Sequence, residues 1–127
     1  MEKITLKTLH LATAQQVFNQ VKEHLLTQNK KSLNPKTEIC LYRYNIGLSC
    51  LSCAGGCLIA DNEYNVRMDK KGKKMGTDWD SLIKRGLVPT TSHNQLISSL
   101  QRVHDAYKPE EWESKLKLVA ELYNLNY

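Results

Sequence analysis

The sequence is 127 residues long, 41% hydrophobic and 24% charged, with 18 basic and 13 acidic side chains and a formal net charge of +5. This composition is typical of one globular domain and excludes a disordered chain. No apolar run approaches the roughly 20 residues that cross a bilayer, and residues 1–7 lack the apolar core of a secretory signal. We therefore expect a single globular domain over residues 1–127, in the cytoplasm and without a membrane partner.

The first predicted elements are a short strand at residues 4–6 and a helix that begins at Thr13. Thr13 and Gln16 have the spacing of a capping box, in which each side chain accepts a hydrogen bond from a backbone N–H of the first turn. Apolar residues then recur at helical spacing, and a turn is favoured after Asn29. The apolar stripe consists of Ala14, Val17, Phe18, Val21 and Leu25. The helix is expected to end near Gln28.

A small β element is predicted around the cysteines. Residues 37–44 are rich in β-branched and aromatic side chains, which favours a short strand. Asn45 and Gly47 favour a tight turn, and residues 48–52 can pair back as a second strand. Residues 54–59 fit either a buried strand or a helix, and we expect a short helix.

The remainder of the chain is predicted to be a basic loop followed by helices. Residues 66–76 have no apolar period, and residues 77–84 fit a short helix ended by Gly86. Ser92 and Gln95 have the spacing of a second capping box, before a helix with apolar positions as far as Tyr107.

The last predicted helix begins at Pro109, because proline lacks only an N–H that the first helical turn leaves unpaired. Its buried stripe is expected to be Trp112, Leu116, Val119 and Tyr123. The predicted fold is therefore α+β and predominantly α, with three longer helices and one or two short ones around a small β element near the cysteines.

All four cysteines lie within residues 40–57, and in a cytosolic chain they are expected to remain free thiols. Cys50 and Cys53 have the Cys-x2-Cys spacing with which one turn presents two thiolates to zinc. The other zinc ligands would come from Cys40, Cys57, His93 or His104. Free cysteine also packs as a small hydrophobic residue, and we favour that interpretation, with no cofactor, over zinc.

A cysteine-centred enzyme is a further alternative. It would use Cys53 or Cys57 as the nucleophile and His104 as the base, steered by Asp105. A histidine on a helix is more often bonded to a backbone carbonyl, and the familiar enzyme motifs are absent from the sequence. We therefore lean against an enzyme and assign no catalytic residue.

The basic loop is a candidate binding region for phosphates. Its four lysines are Lys70, Lys71, Lys73 and Lys74. Arg43 could add a further positive charge, and the ring of the neighbouring Tyr42 could stack on a base. Runs of lysine in loops are more often solvated surface, although a loop of this length is longer than the usual connection.

The chain resembles a small family of single-domain proteins of tailed bacteriophages, the T4-like phages among them. The matching stretches are residues 12–18, 24–28, 31–32, 40–43, 47–48, 56–61, 63–64 and 100–105, ahead of Trp112. The resemblance implies a phage protein in the host bacterial cytoplasm and brings no activity with it.

One departure from the family pattern concerns the cysteines. The family favours Gly-Leu-x-Cys-x-x-Gly-Cys, so part of residues 48–53 is extra in this chain. The family's thiols then match Cys40, Cys53 and Cys57, and a zinc site would need His104 as its fourth ligand.

Three hypotheses follow. The first is a phage accessory binding protein of the host-takeover or anti-defence type, which engages a host protein or a small anionic ligand. The second is the thiol or zinc enzyme centred on Cys53, Cys57 and His104. The third is a nucleic-acid binder that uses the basic loop.

Overall fold

The computed structural model describes residues 3–36, 39–46, 49–69 and 78–127. Its α-helices are α1 (Ala14–Gln28), α2 (Trp79–Lys84), α3 (Asn94–Ala106) and α4 (Pro109–Leu122). Its strands are β1 (Leu33–Asn34), β2 (Ile39–Cys40), β3 (Arg43–Ile46) and β4 (Ser49–Ser52). Three 3-10 turns cover Leu9–Leu11, Gly56–Leu58 and Val66–Asp69. The predicted α+β, predominantly α fold is confirmed.

The capping box at the start of α1 is present as predicted. The Thr13 hydroxyl accepts from the Gln16 N–H at 3.1 Å, and the Gln16 side chain accepts from the Thr13 N–H at 2.9 Å. Asn29 ends the helix in the left-handed conformation, with φ of 51°. The residues buried by α1 are Val17, Phe18, Val21 and Leu25. Local sequence therefore determines both ends of this helix.

The hydrophobic core lies where α1, α3 and α4 pack against one another, with α2 added on α3. Trp112 and Leu116 of α4 are completely buried, and Trp79 of α2 is 1% exposed. Burying each large apolar side chain stabilises the fold by roughly 1.5–3 kcal/mol. Within the described residues, no helix combines the length and apolar character needed to cross a membrane.

Two antiparallel strand pairs lie beside this core. In the first pair Leu33 lies opposite Cys40, and in the second Arg43 lies opposite Ser52. The strand predicted at residues 37–44 is interrupted between β2 and β3, and the second strand predicted at residues 48–52 is formed as β4. Of the residues predicted to turn, Asn45 lies within β3 opposite Cys50, and Gly47 lies outside the described residues.

The strand predicted at residues 4–6 is not formed. The Gln20 side chain takes both backbone groups of Ile4, accepting from its N–H at 2.7 Å and donating to its carbonyl at 2.9 Å. A side-chain amide from α1 thus supplies the hydrogen bonds that a neighbouring strand would have supplied.

The second predicted capping box is also wrong. The helix α3 begins at Asn94, and its N-cap residue His93 makes no side-chain cap. Asn94 instead accepts from the Thr91 N–H, and the Thr91 hydroxyl accepts from the His93 N–H, each at 3.1 Å. This local turn moves the start of the helix past Ser92.

The other helix predictions are largely confirmed. The helix α2 ends before Gly86, which has a φ of +72°, and α4 begins at Pro109. Tyr123, which was predicted to be buried, is only half-buried. Ala120, which was not part of the predicted stripe, is buried. Residues 66–69 form a 3-10 turn where an unstructured loop was predicted, and the rest of that loop lies outside the described residues.

The short helix predicted in residues 54–59 is the 3-10 turn Gly56–Leu58. Gly56 is required there because a Cβ atom at this position would lie 2.3 Å from the carbonyl oxygen of Tyr42. Cys53 lies between β4 and this turn, and Cys57 lies within the turn.

Candidate functional site

The four cysteines differ in their exposure to solvent. Cys50 on β4 is exposed and Cys40 on β2 is half-buried, whereas Cys53 is completely buried and Cys57 is 5% exposed. The Cys50 and Cys53 side chains are therefore not presented together to solvent as the predicted zinc pair.

Cys53 and Cys57 are thiols packed in the core. The Cys53 sulfur accepts from the Gly56 N–H at 3.3 Å, and the Cys57 thiol donates to the Ala54 carbonyl at 3.1 Å. Burial raises the pKa of Cys53 well above its usual value and that of Cys57 to about 12. Because the thiolate is the reactive form, neither group is prepared for nucleophilic attack.

His104 on α3 is completely buried, and both of its ring nitrogens are bonded. Its Nε2 accepts from the Ser32 N–H at 2.9 Å, so the ring hydrogen lies on Nδ1 and is donated to the Asp105 carboxylate at 2.7 Å. The ring also stacks on Trp112, with 5.5 Å between centroids. The predicted bond to a backbone carbonyl is wrong, since the partners are a backbone N–H and a carboxylate.

The Asp105 carboxylate is the centre of a small polar network, which we call the Asp105 cluster (Cys40, Gln101, His104 and Asp105). It accepts from Gln101 Nε2 at 2.9 Å and from His104, and it also bonds with the Cys40 thiol. Burial, followed by the negative charge of Asp105, raises the pKa of Cys40 to about 12. The cysteine beside His104 and Asp105 is therefore Cys40, and its proton is firmly held.

The Asp105 cluster contains three metal-ligating groups. The Cys40 sulfur, a ring nitrogen of His104 and a carboxylate oxygen of Asp105 lie within 4.8 Å of one another, the only such group of three within the described residues. A histidine that binds a metal usually donates its other N–H to an acceptor. The Nε2 atom of His104 faces the Ser32 N–H donor instead, which opposes a metal at Nδ1.

The predicted binding residues Tyr42 and Arg43 are used within the fold. Tyr42 is 1% exposed, so its ring is unavailable to a surface ligand. The Arg43 guanidinium donates to the Asp61 carboxylate at 2.6 Å and to the Ile59 carbonyl, and lies 5.4 Å from the Tyr64 ring. The other predicted binding residues, Lys70, Lys71, Lys73 and Lys74, lie outside the described residues.

A surface groove of about 600 Å³ runs along α1, and we call it the α1 groove. Residues 3 and 4, one face of α1 and Cys57 line it. Gln20 connects these parts, since its Nε2 donates both to Ile4 and to the Cys57 carbonyl at 3.0 Å. The sequence does not predict this groove, because its side chains form no known motif.

His24 forms part of the same wall. Its Nε2 donates to the Ser52 carbonyl at 2.9 Å, and Gln28 exchanges hydrogen bonds with both backbone groups of Ser52. Burial lowers the pKa of His24, so the ring is neutral at pH 7. The two side chains fix the end of β4 against α1.

The outer edge of the α1 groove carries Lys3 and Glu23, which are both exposed. Within the described residues, neither charged group has an ion-pair or hydrogen-bond partner. Thr27, one helical turn after Glu23, is likewise exposed and lines the groove. The groove thus offers polar groups that the fold does not use.

Comparison with known proteins supplied no relative. A scan against protein-family models, a search of curated proteins and a search of solved structures each found no match.

Proposed function

We propose that the chain is a phage accessory binding protein that acts in the host bacterial cytoplasm by engaging a host protein, in host takeover or in anti-defence. The phage assignment rests on the sequence resemblance. The binding assignment rests on the chemistry of the side chains.

The α1 groove is the observation that carries this proposal. It is open to solvent, and Lys3, Glu23 and Thr27 at its edge have no partner within the described residues. Its volume of about 600 Å³ falls within the range of roughly 300–1,000 Å³ that is usual for ligand sites.

The thiol chemistry supports the same conclusion by contrast. An enzyme using Cys53, Cys57 and His104 needs a thiolate and a free base. Burial raises the pKa of both thiols, and both nitrogens of His104 are bonded to Ser32 and Asp105.

A host protein fits the groove better than a small anionic ligand does. Glu23 would repel an anion there and offsets the charge of Lys3, while Arg43 is already paired with Asp61. The anionic-ligand and nucleic-acid alternatives therefore depend on the lysines of residues 70–74.

The experiment is affinity capture with the tagged chain from a bacterial lysate, followed by reconstitution of the complex from purified components. We expect one host protein that binds in stoichiometric amount at physiological salt. Retention of nucleic acid alone, lost steeply as salt is raised, would contradict the proposal and favour the nucleic-acid alternative.

A metal site at the Asp105 cluster is the second candidate, favoured by the three ligand atoms within 4.8 Å of one another. Native mass spectrometry of protein purified without chelator tests it. We expect the mass of the bare chain, because the Ser32 N–H occupies Nε2 of His104. A mass excess of one zinc, lost in the Cys40→Ser variant, would establish the metal site instead.

A further inference from the structure

The α1 groove has the dimensions of a short extended peptide. The residues of α1 that line it extend from Gln16 to Gln28, a distance of about 18 Å at 1.5 Å per helical residue. An extended chain of about five residues covers the same distance. The groove therefore matches a segment of polypeptide rather than a compact molecule.

The unused polar groups follow one line along the helix. Asn19, Glu23 and Thr27 are four residues apart and so lie one above another on the same face. The side-chain oxygen of Asn19 accepts a hydrogen bond from Gln15 Nε2 at 2.9 Å. The side-chain N–H donors of Asn19 stay unused among the described residues. Glu23 adds acceptors, and the Thr27 hydroxyl can donate or accept.

The deeper groups of the groove are already committed to the fold. Gln20 bonds to Ile4 and Cys57, and His24 bonds to Ser52. These bonds fix Ile4, Cys57 and Ser52 against α1, so the shape of the groove is set before any partner binds. A pre-formed site loses less conformational entropy on binding.

The charge of the groove is balanced. Lys3 and Glu23 offset each other, and His24 is neutral because burial lowers its pKa. A peptide backbone is uncharged and carries a donor and an acceptor in almost every residue. The alternating donors and acceptors of α1 complement such a backbone, whereas Glu23 repels phosphates.

Resting on the proposed binding function, we propose that the α1 groove binds an extended, uncharged segment of a partner protein, about five residues long. Its backbone amide and carbonyl groups bond with Asn19, Glu23 and Thr27. Lys3 closes the opposite edge of the groove over the segment.

The experiment is selection of displayed random seven-residue linear peptides on the immobilised wild-type chain, followed by affinity measurement with the enriched synthetic peptide. The groove variant is Glu23→Lys. The matched control is Glu121→Lys, which makes the same charge change at an exposed position of α4. Circular dichroism and thermal unfolding verify that both variants fold.

We expect the enriched peptide to bind Glu23→Lys at least about tenfold more weakly than wild type, the effect of losing one hydrogen bond to a charged group. Its affinity for Glu121→Lys should remain within about twofold of wild type, as for a substitution outside the interface. Enrichment of no peptide, or equal binding by both variants, would overturn the inference.

Competition separates a peptide site from an anion site. Inorganic phosphate and a short oligo-uridylate should leave the peptide bound, and displacement by either at low salt would overturn the inference in favour of an anion site. If a host protein binds wild type and Glu23→Lys equally, the groove inference fails while the proposed binding function stands. If no host protein binds wild type, the proposed function itself fails.

Discussion

The Asp105 cluster and the α1 groove both bring polar side chains together, but they differ in whether those groups are already satisfied. In the cluster, the two nitrogens of His104 and the carboxylate of Asp105 all have partners inside the protein. In the groove, Lys3 and Glu23 have none among the described residues. The first region therefore stabilises the fold, and the second is available to a ligand.

This difference shows that reactive residue types do not by themselves make a reactive site. Cysteine, histidine and aspartate lie together in the cluster, yet burial and the Asp105 charge keep the Cys40 proton in place. The exposed edge of the groove carries amide, hydroxyl and charged side chains that form no known motif, and it retains the unused donors and acceptors. The two regions can be separated by their response to substitution.

The largest expected effect is that of removing His104. His104→Ala leaves the Ser32 N–H without its acceptor and opens a space beside Trp112, so we expect a loss of about 3–5 kcal/mol in the free energy of unfolding. Urea titration measures this. The control is His10→Ala, at an exposed position, for which we expect a change within about 0.5 kcal/mol. If His104→Ala changed the free energy of unfolding as little as the control does, the Asp105 cluster would not stabilise the fold.

A smaller effect is expected at the wall of the groove. Gln20→Ala removes three hydrogen bonds to the backbone of Ile4 and Cys57, which should cost about 1–3 kcal/mol. Asn19→Ala, on the exposed edge, should cost less than about 0.5 kcal/mol. Equal unfolding free energies for the two variants would mean that Gln20 does not hold the groove open.

The smallest effect is a pH dependence that comes from His24. Burial lowers the pKa of His24 below its usual 6.5, so the folded state favours the neutral ring. The free energy of unfolding should therefore be fully retained above pH 6.5 and should fall as the pH drops through the folded-state pKa. His24→Gln should lose this part of the pH dependence. Parallel curves for wild type and variant between pH 7 and pH 5 would contradict the assignment.

The elements set by neighbouring residues could be predicted from the sequence. The capping box of Thr13 and Gln16 and the start of α4 at Pro109 need only local hydrogen bonds or their absence. The contact of His104 with Asp105, which only the thiol-enzyme alternative included, is present, whereas the favoured bond from His104 to a backbone carbonyl is not.

The rest depends on contacts between residues far apart in the chain. The hydrogen bond from Ser32 to His104 joins the residue before β1 to α3. Gln20 bonds with both Ile4 and Cys57. No spacing rule connects such positions, so the partner cysteine of the cluster and the existence of the groove could not be predicted. The missing strand at residues 4–6 has the same origin.

Alkylation of the native protein with iodoacetamide at pH 7.5, mapped to each cysteine by mass spectrometry, tests the account most directly. We expect Cys50, which is exposed, to be modified first and Cys40 much more slowly. Cys53 and Cys57 should react only after unfolding, because both are buried and their pKa values are raised. Modification of Cys53 or Cys57 as fast as Cys50 in the folded protein would contradict the account and favour the thiol-enzyme alternative.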